Sequence, residues 1–562
     1  MSAINQEFKL ALKHHQKGEY QLAANLYEKI KNTDPNFSEV DFLLGLLMTQ
    51  VNRPDQAINH LNSYLSSKPG DTKAISILGL AHYDLKNFEE AYKNFKLAIN
   101  EENPSSSLLY NLGQTCFKLS KFEEAIEANK KALEIEPRYT LAQIGLGICL
   151  KELKRYEEAR HFLEKATTLE PSNSEAYFFL GNVLRDLSEF KASTDCYKRA
   201  LELNPNYLAA AVNCGNSLKD LGFSKKSIDY YDMALRIDIN HPEANYNKSL
   251  ALLNDGQLEE GWPLYEWRFN SSEAQSKFVQ QQLIENIDIW NGETLHGNLL
   301  VLPEQGIGDQ VFFLGMLPDL QQKAKSLMVG ADCRLIPLLK RTYPEIGFIE
   351  SVSDVDTSRV NAQIHMGSLG QHLRRNENSF SSVVSPYLMA DKLQSAALRQ
   401  SMKADSKLLC GISWLSKNAD HGNAKSLSLA ALKDALTLPG FDFVDLQYGD
   451  TQHEREQFHS DHGVRVIKRD EIDNFKDIDG LASLIDACDL VITVSNTTAH
   501  LACAMGKPTL VLLPQSSSVF WYWHRKGMHS PWYPTAVMLR QEELGGWPQV
   551  VGAVRHILQG MQ

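Results

Sequence analysis

Three short segments in the second half of the chain hold residue types that could do chemistry. The first is Glu304-Gln305-Gly306-Ile307-Gly308-Asp309, directly after the apolar run NLLVLPE. Its glycines permit a tight turn and close approach of backbone to a ligand. Asp309, near the start of a following helix, could take a proton from an acceptor hydroxyl as a general base, or could simply cap that helix. No Gly-Lys-Ser/Thr follows, so this is not a Walker loop. The second segment runs from Ser413 through Lys417 and His421 to Lys425 and Ser426, after KLLCGISWLS. Its cations could meet phosphate oxygens, with each well-made charge-assisted hydrogen bond contributing about 1.5–3 kcal/mol. The alternative is a solvated loop. The third is Ser495-Asn496-Thr497-Thr498-Ala499-His500, between DLVITV and HLACAMG. It offers hydroxyls and backbone N–H groups at a helix N-terminus, an anion site suited to a diphosphate. His500 could contact a phosphate or ribose, or satisfy a neighbouring carbonyl.

The elements around these segments alternate. Short aliphatic runs (NLLVLPE, SLMVGAD, IGFIES, KLLCGISWLS, FDFVDLQYG, VRVIKRD, DLVITVSN, PTLVLLP) are separated by helical stretches. That alternation predicts parallel sheets with helices on both faces, in two sets of about 120–150 residues. It implies two Rossmann-like domains, with Pro386 and the polar stretch Arg399–Ser406 as the hinge. Ligands of such sheets bind beyond the carboxyl ends of the strands, where all three segments fall. The aromatic run Phe520-Trp521-Tyr522-Trp523-His524-Arg525 could stack a base, but packing between the domains is the commoner fate of such residues. His529-Ser530-Pro531-Trp532-Tyr533-Pro534 reads as a rigid loop.

The first half is a repeat. Gly45, Gly79, Gly113, Gly147, Gly181 and Gly215 lie 34 residues apart, as do Ala57, Ala91, Ala125 and Ala159, continued by Ser193, Ser227 and Gly261. Prolines 35, 69, 137, 171 and 205 share one phase, with Pro104 one residue out of register. Small residues let paired helices approach, and proline closes each unit. A hairpin cannot bury its apolar face alone, so stacking supplies the core. The pattern resembles the tetratricopeptide repeat family, with about seven repeats to residue 242 and a degenerate eighth in YNKSLALLNDGQLEEGWPLYEWRF.

Composition narrows the function. The chain has 562 residues and a net charge of −12, with no basic block, which argues against a general nucleic-acid binder. Three or four units of about 150 residues are expected. No apolar run reaches the roughly eighteen residues of a membrane span, and the N-terminus lacks the apolar core of a signal peptide. Eight cysteines without a CxxC pair fit a cytoplasmic compartment. No His/Asp/Cys cluster has metal-ligand spacing.

The second half resembles bacterial tetratricopeptide-containing glycosyltransferases related to the ADP-heptose:lipopolysaccharide heptosyltransferase family. The likeness runs in order through Gly261-Trp262, Tyr265-Glu266-Trp267-Arg268, Trp290-Asn291-Gly292-Glu293, Glu304-Gln305-Gly306 with Gly308-Asp309, and Gly411-Ile412-Ser413-Trp414. It continues through Ala499-His500-Leu501-Ala502 with Ala504 and Gly506, Pro531-Trp532-Tyr533-Pro534, Arg540-Gln541 and Trp547. The resemblance implies an α-solenoid (residues 1–272) followed by a GT-B fold of two Rossmann-like domains, an acceptor domain (273–400) and a nucleotide-sugar domain (401–562). It implies an inverting, metal-independent transfer without a cofactor. Asp309 would be the base, and Gln305, Gly306 and Gly308 the acceptor loop. Ser413, Lys425, Ser495, Asn496, Thr497, Thr498 and His500 would meet the donor. The family usually has an acidic residue where Asn496 stands, and an Arg-containing run where Lys425 lies.

In the repeats of protein O-GlcNAc transferases, asparagines line a peptide groove. Here Asn111, Asn213 and Asn247 share one repeat phase and Asn182 and Asn216 another, on the same helical face. Ordinary solvated surface is the alternative. The expectation is transfer of a sugar to a protein recruited by the repeats, or to a glycan or lipopolysaccharide. The alternative is a repeat scaffold with a degenerate transferase half, and a third reading is a nucleotide-sugar epimerase.

Overall fold

The computed structural model describes residues 3–99, 104–272, 283–381, 383–402, 407–417, 422–515, 519–523, 527–543 and 545–561. Within them the first half is sixteen helices in eight antiparallel pairs, from Ala3–Gln16 to Leu258–Tyr265. The 34-residue register has a direct packing cause. A Cβ placed on Gly45, Gly79, Gly113, Gly147, Gly181 or Gly215 would come within 2.4–2.7 Å of Leu61, Phe95, Asn129, Leu163, Tyr197 or Tyr231 respectively. Each partner stands sixteen residues later, on the second helix of the pair. Ala57, Ala91, Ala125, Ala159, Ser193 and Ser227 are all fully buried on that second helix. The tight turn between paired helices needs one left-handed residue per repeat: Asn52, Lys86, Ser120, Lys154 and Ser188 have φ of 56–64°, and Gly18, Gly222 and Gly256 hold the same phase.

The chain divides into two compact units, 1–210 and 211–562, the division falling inside the helix Leu208–Asp220. The first unit is built of helical pairs around stacked apolar cores that include Tyr27, Leu61, Phe95 and Leu163. The second begins with the last two pairs and continues into two parallel sheets.

Strands β1 (Leu295–Leu302), β2 (Ala324–Gly330), β3 (Gly347–Ile349) and β4 (Ala362–His365) form a sheet of order β3-β2-β1-β4. Strands β5 (Leu408–Ser413), β6 (Phe441–Asp445), β7 (Val466–Ile467), β8 (Leu490–Val494), β9 (Thr509–Leu513) and β10 (Ala536–Arg540) form a second, of order β10-β9-β8-β5-β6-β7. Among the described residues every strand-to-strand pairing is parallel. β8 and β9 are buried along their whole length, as strands covered on both faces must be. The chain reverses its direction of travel between β1 and β4 and again between β5 and β8. These are the switch points where open α/β sheets leave a crevice. All the expected strands are present, and β4 and β10 are additional to them.

The degenerate eighth pair has become part of this unit. Its second helix, Leu258–Tyr265, contains Pro263 and runs into a 3₁₀ turn at Glu266–Phe269. Trp262 Nε1 donates to the Arg374 carbonyl at 2.8 Å, and its ring lies so close to Gly370 that a Cβ there would meet it at 2.1 Å. Tyr246, Leu253, Trp262 and Tyr265 share one apolar core with the sheets. The stretch read as a hinge begins inside the helix Lys392–Met402, where Arg399 bonds the Ala487 carbonyl and Asp489; residues 403–406 lie outside the described ones. Among the described residues no helix is long and apolar enough to cross a membrane.

Candidate functional site

The loop after β1 is bent by Gln305, a non-glycine residue with φ of 63°. Side-chain hydrogen bonds hold it there. Gln305 Nε2 donates to the Tyr265 hydroxyl at 2.8 Å, and the adjacent Glu304 takes both Nε and Nη2 of Arg268, at 2.8 and 2.9 Å. Burial pushes the Glu304 carboxyl up, and Arg268 overrides it, holding Glu304 below the usual carboxylate range. Gly306 then caps the helix Ile307–Leu314, whose third residue is Asp309. Asp309 Oδ1 accepts a hydrogen bond from the Tyr522 hydroxyl at 2.9 Å. Burial raises its pKa. The Tyr522 bond, the Lys425 charge and the amides of Gly306 and Asp309 pull the other way without cancelling the rise.

Gly308 lets this helix meet the helix Thr497–Ala504 that follows β8. A Cβ on Gly308 would stand 3.1 Å from His500 Cδ2 and 3.6 Å from Thr497 Oγ1. The helix after β1 and the helix after β8 thus meet where Gly308 makes room for the His500 and Thr497 side chains.

Lys425 ends the short helix Gly422–Lys425 after β5 and is only 1% exposed. Its ammonium lies 4.2 Å from the Phe520 ring centroid. Burial lowers its pKa to about 8 against the opposing charge of Asp309. Among the described residues no carboxylate stands within 4.0 Å of it. A nearly buried ammonium lacking a bonded anion is costly to hold, and an anionic ligand relieves that cost. Ser495, at the end of β8, is also buried, and among the described residues its hydroxyl has no hydrogen-bond partner.

Asn496 works inside the protein. Its Oδ1 caps the Thr497 helix through the Ala499 amide at 3.3 Å and accepts from Thr493 Oγ1 at 3.1 Å. Its Nδ2 donates to Ser413 Oγ at 2.8 Å and the Leu415 carbonyl at 3.2 Å. Ser413 in turn donates to Gln447 Oε1, which also accepts from the amides of Trp414 and Leu415. Asn496 and Ser413 therefore lock together the loops of β5 and β8, and an acidic residue at 496 could not make the two donor bonds. Asn496→Asp is expected to lower the unfolding free energy of this unit by about 1–3 kcal/mol, measured by denaturant titration; an unchanged midpoint removes this role.

Thr497 is half-buried and Thr498 buried in the first turn of the same helix. His500 is buried, with Nδ1 2.8 Å from the Tyr533 hydroxyl and its ring against Tyr522 and Trp523. Burial, with Lys425 adding to it, pushes its pKa down to about 3, so it is a neutral wall rather than a counter-charge. Lys417 stands apart from these groups, its ammonium beside Gly449 and its amide on the Tyr448 hydroxyl. His421, His524 and Arg525 lie outside the described residues.

The aromatic run divides between packing and the site. Trp521 and Trp523 are core, whereas the Tyr522 hydroxyl reaches Asp309 and Phe520 lies over Lys425. Sequence reading flagged the run but not Tyr522 singly. Gln447 and Tyr265 were missed as loop clamps, and only Tyr265 had a signal, its place in the YEWR motif. Among the described residues no group of three or more His, Cys, Asp and Glu side chains could hold a metal ion.

The solenoid asparagines are partly engaged. Asn182 Oδ1 accepts from the Tyr197 hydroxyl and Asn216 Oδ1 from the Tyr231 hydroxyl, at 2.7 and 2.8 Å, fifteen residues apart in each case. Asn247 is buried and accepts from Lys219 at 2.7 Å. Asn111 and Asn213 are half-buried.

Comparison with known proteins bears mainly on the repeats. Residues 55–132 match the family model for anaphase-promoting complex, cyclosome, subunit 3, and residues 104–172 and 174–207 match tetratricopeptide repeat models. The chain is 30% identical over 334 residues to Protein FlbA of Caulobacter vibrioides, a match covering 56% of this chain and 54% of that protein. It thus spans about half the length of this relative. A tetratricopeptide repeat protein from Parabacteroides merdae aligns over 44% of this chain and 98% of its own, at 14% identity and TM-score 0.37. Pseudomonas aeruginosa pilF aligns over 37% and 95%, at 18% identity and TM-score 0.33. The N-terminal half of the chain carries tetratricopeptide repeats.

Proposed function

We propose that the chain is a glycosyltransferase of the GT-B type, moving a sugar with inversion from a nucleotide-sugar donor to a protein recruited by the repeats. Residues 273–400 would form the acceptor domain and 401–562 the donor domain. One observation carries the reading. A carboxylate with a raised pKa and a nearly buried lysine interact at the carboxyl ends of β1 and β5, the strands at which the two sheets switch direction. Asp309 accepts the proton of the acceptor hydroxyl as its oxygen bonds the anomeric carbon. The bond from that carbon to the diphosphate oxygen breaks, and the nucleoside diphosphate leaves with the electron pair. Lys425 and the N–H groups that open the Thr497 helix face the charge that develops on it. A glycan acceptor uses the same chemistry, but the repeats favour a protein, since this architecture presents a long surface to protein partners.

The alternative, a scaffold with a degenerate transferase half, rested on Asn496. The bonds of Asn496 to Ser413 and Leu415 give that residue a structural purpose compatible with turnover.

The direct test is a thermal-shift screen against nucleoside diphosphates and their sugars, followed by labelled donors. Ligand at about 100 times its dissociation constant stabilises by about 2.7 kcal/mol. Absence of a shift with every nucleotide returns the weight to the scaffold.

The pair also predicts a pH profile. Activity requires Asp309 deprotonated and Lys425 protonated. kcat/KM should rise with pH through a value above the ordinary 3.8 of aspartate and fall near pH 8, both limbs belonging to the coupled pair. Lys425→Arg should remove the alkaline limb. A profile flat between pH 5 and 9 counts against both assignments.

A further inference from the structure

Asp309 and its hydrogen-bond donor come from opposite halves of the α/β region. Asp309 stands on the helix after β1 of the four-stranded sheet, and Tyr522 on the loop after β9 of the six-stranded one. Tyr522 is held on several sides. Its ring stacks on Phe312 at 4.5 Å and 28°, and on Phe520 at 5.4 Å and 17°, with His500 edge-on at 5.2 Å. Phe312 lies on the same helix as Asp309, so the stack and the 2.9 Å hydrogen bond fix the phenol from one surface. We propose that Tyr522 is a positioning residue for Asp309: it occupies Oδ1, orients the carboxylate, and leaves Oδ2, on the Gly306 side, to receive the acceptor's proton. This rests on the glycosyltransferase reading. The base and its orienting donor are thus supplied by different sheets.

Among the described residues, four groups face the Asp309 carboxylate or its helix: Tyr522 from the β9 loop, Lys425 from the β5 loop, His500 across Gly308 from the β8 helix, and Tyr265 from the last helical pair. Lys425 acts through space and His500 is neutral, so among these four it is Tyr522 whose side chain donates a hydrogen bond to the carboxylate. Its loss removes a bond that favours the charged form, so the carboxyl should titrate higher in its absence.

The experiment compares the full-length protein with Y522F, which keeps the ring stack. One measurement is independent of turnover: the Asp309 carboxyl is titrated by infrared difference spectroscopy with isotope-labelled aspartate, using D309N to identify its band. The second is kcat and KM for a donor found by the nucleotide screen. Expected in Y522F is a titration midpoint higher by about one unit, with the acid limb of the rate profile moving by the same amount. Turnover should fall roughly tenfold with KM within about twofold, as for a bond made to the reacting charge. A midpoint unmoved in Y522F while the wild type is active overturns this inference and leaves the function standing. Equal losses in kcat and nucleoside diphosphate affinity overturn it too, by making Tyr522 a wall of the donor pocket. A midpoint that moves in a protein that neither transfers nor hydrolyses any donor overturns the function, and the positioning role with it. If Y522F loses its fold, as read by circular dichroism, Phe312→Leu loosens the stack instead. The same midpoint shift is then expected, and its absence is again decisive.

Discussion

Asp309→Asn is expected to slow sugar transfer by roughly 10²–10⁴-fold, the range that general-base catalysis supplies, while nucleoside diphosphate affinity changes by less than about threefold. The amide is nearly the same shape as the carboxylate and still accepts from the Tyr522 hydroxyl, so the helix and the aromatic stack keep their places. It cannot receive the acceptor's proton. One condition matters. The Asp309 charge helps to keep Lys425 protonated, and without it the Lys425 pKa drops below its value of about 8. The comparison therefore belongs on the acid side of that value, with rates followed across pH in both proteins. Calorimetric binding of the nucleotide beside initial rates of transfer decides the matter. Equal loss of both makes Asp309 a structural residue of the loop, and normal transfer by the variant moves the proton acceptor elsewhere.

The largest effect on stability is expected at Arg268. Its guanidinium is fully buried, bonded to both oxygens of an equally buried Glu304 and to the Ser368 hydroxyl, with Glu266 as a second carboxylate. Arg268→Ala leaves Glu304 charged, dry and without its main partner. Breaking such a pair destabilises by about 3–5 kcal/mol, which equilibrium denaturation of the second unit should show directly. Removing both charges behaves differently. R268M with E304L takes away the desolvation penalty together with the attraction, so the double variant should recover a large part of the loss. A double variant as unstable as R268A would mean that the hydrogen bonds to Ser368 and the Gly367 amide, not the ion pair, hold the loop. The same substitution should also loosen Gln305, whose left-handed backbone is kept in place by this cluster and by Tyr265.

The repeats were legible because their cause is local and periodic: one small residue per helix, 34 residues apart, facing one large side chain in the partner helix. Strands β1, β2, β5, β6, β8 and β9 were legible as apolar runs, and β8 and β9 are buried along their whole length. β4 was not. Its four residues include Gln363 and His365, and Gln363 is buried because its amide bonds the carbonyls of Ile284 and Ile287, a tertiary arrangement no window of sequence contains. The three candidate loops could be picked out because they follow strand ends, and the structure brings Asp309, Lys425, Thr497 and His500 to neighbouring positions. What each does could not be picked out. The Tyr522 bond spans 213 residues of sequence and the Asn496–Ser413 bond 83, and the neutrality of His500 comes from burial among rings of distant loops.

The last helical pair carries a consequence for how repeat number can vary. A stacked array normally ends in a unit with a polar outer face, because its final surface meets water. Here the closing helix instead turns Trp262 and Tyr265 into a shared aromatic core, and Arg268 just beyond it is sunk beneath the β1 loop. The sheets are its lid. Units upstream of Leu208 repeat the same small-residue contact and stack on their neighbours through shared apolar cores. The closing pair is not interchangeable. A solenoid severed after Phe269 would present bare tryptophan to solvent and should self-associate, and a sheet region begun after it would lack the residues that hold its first loop in shape.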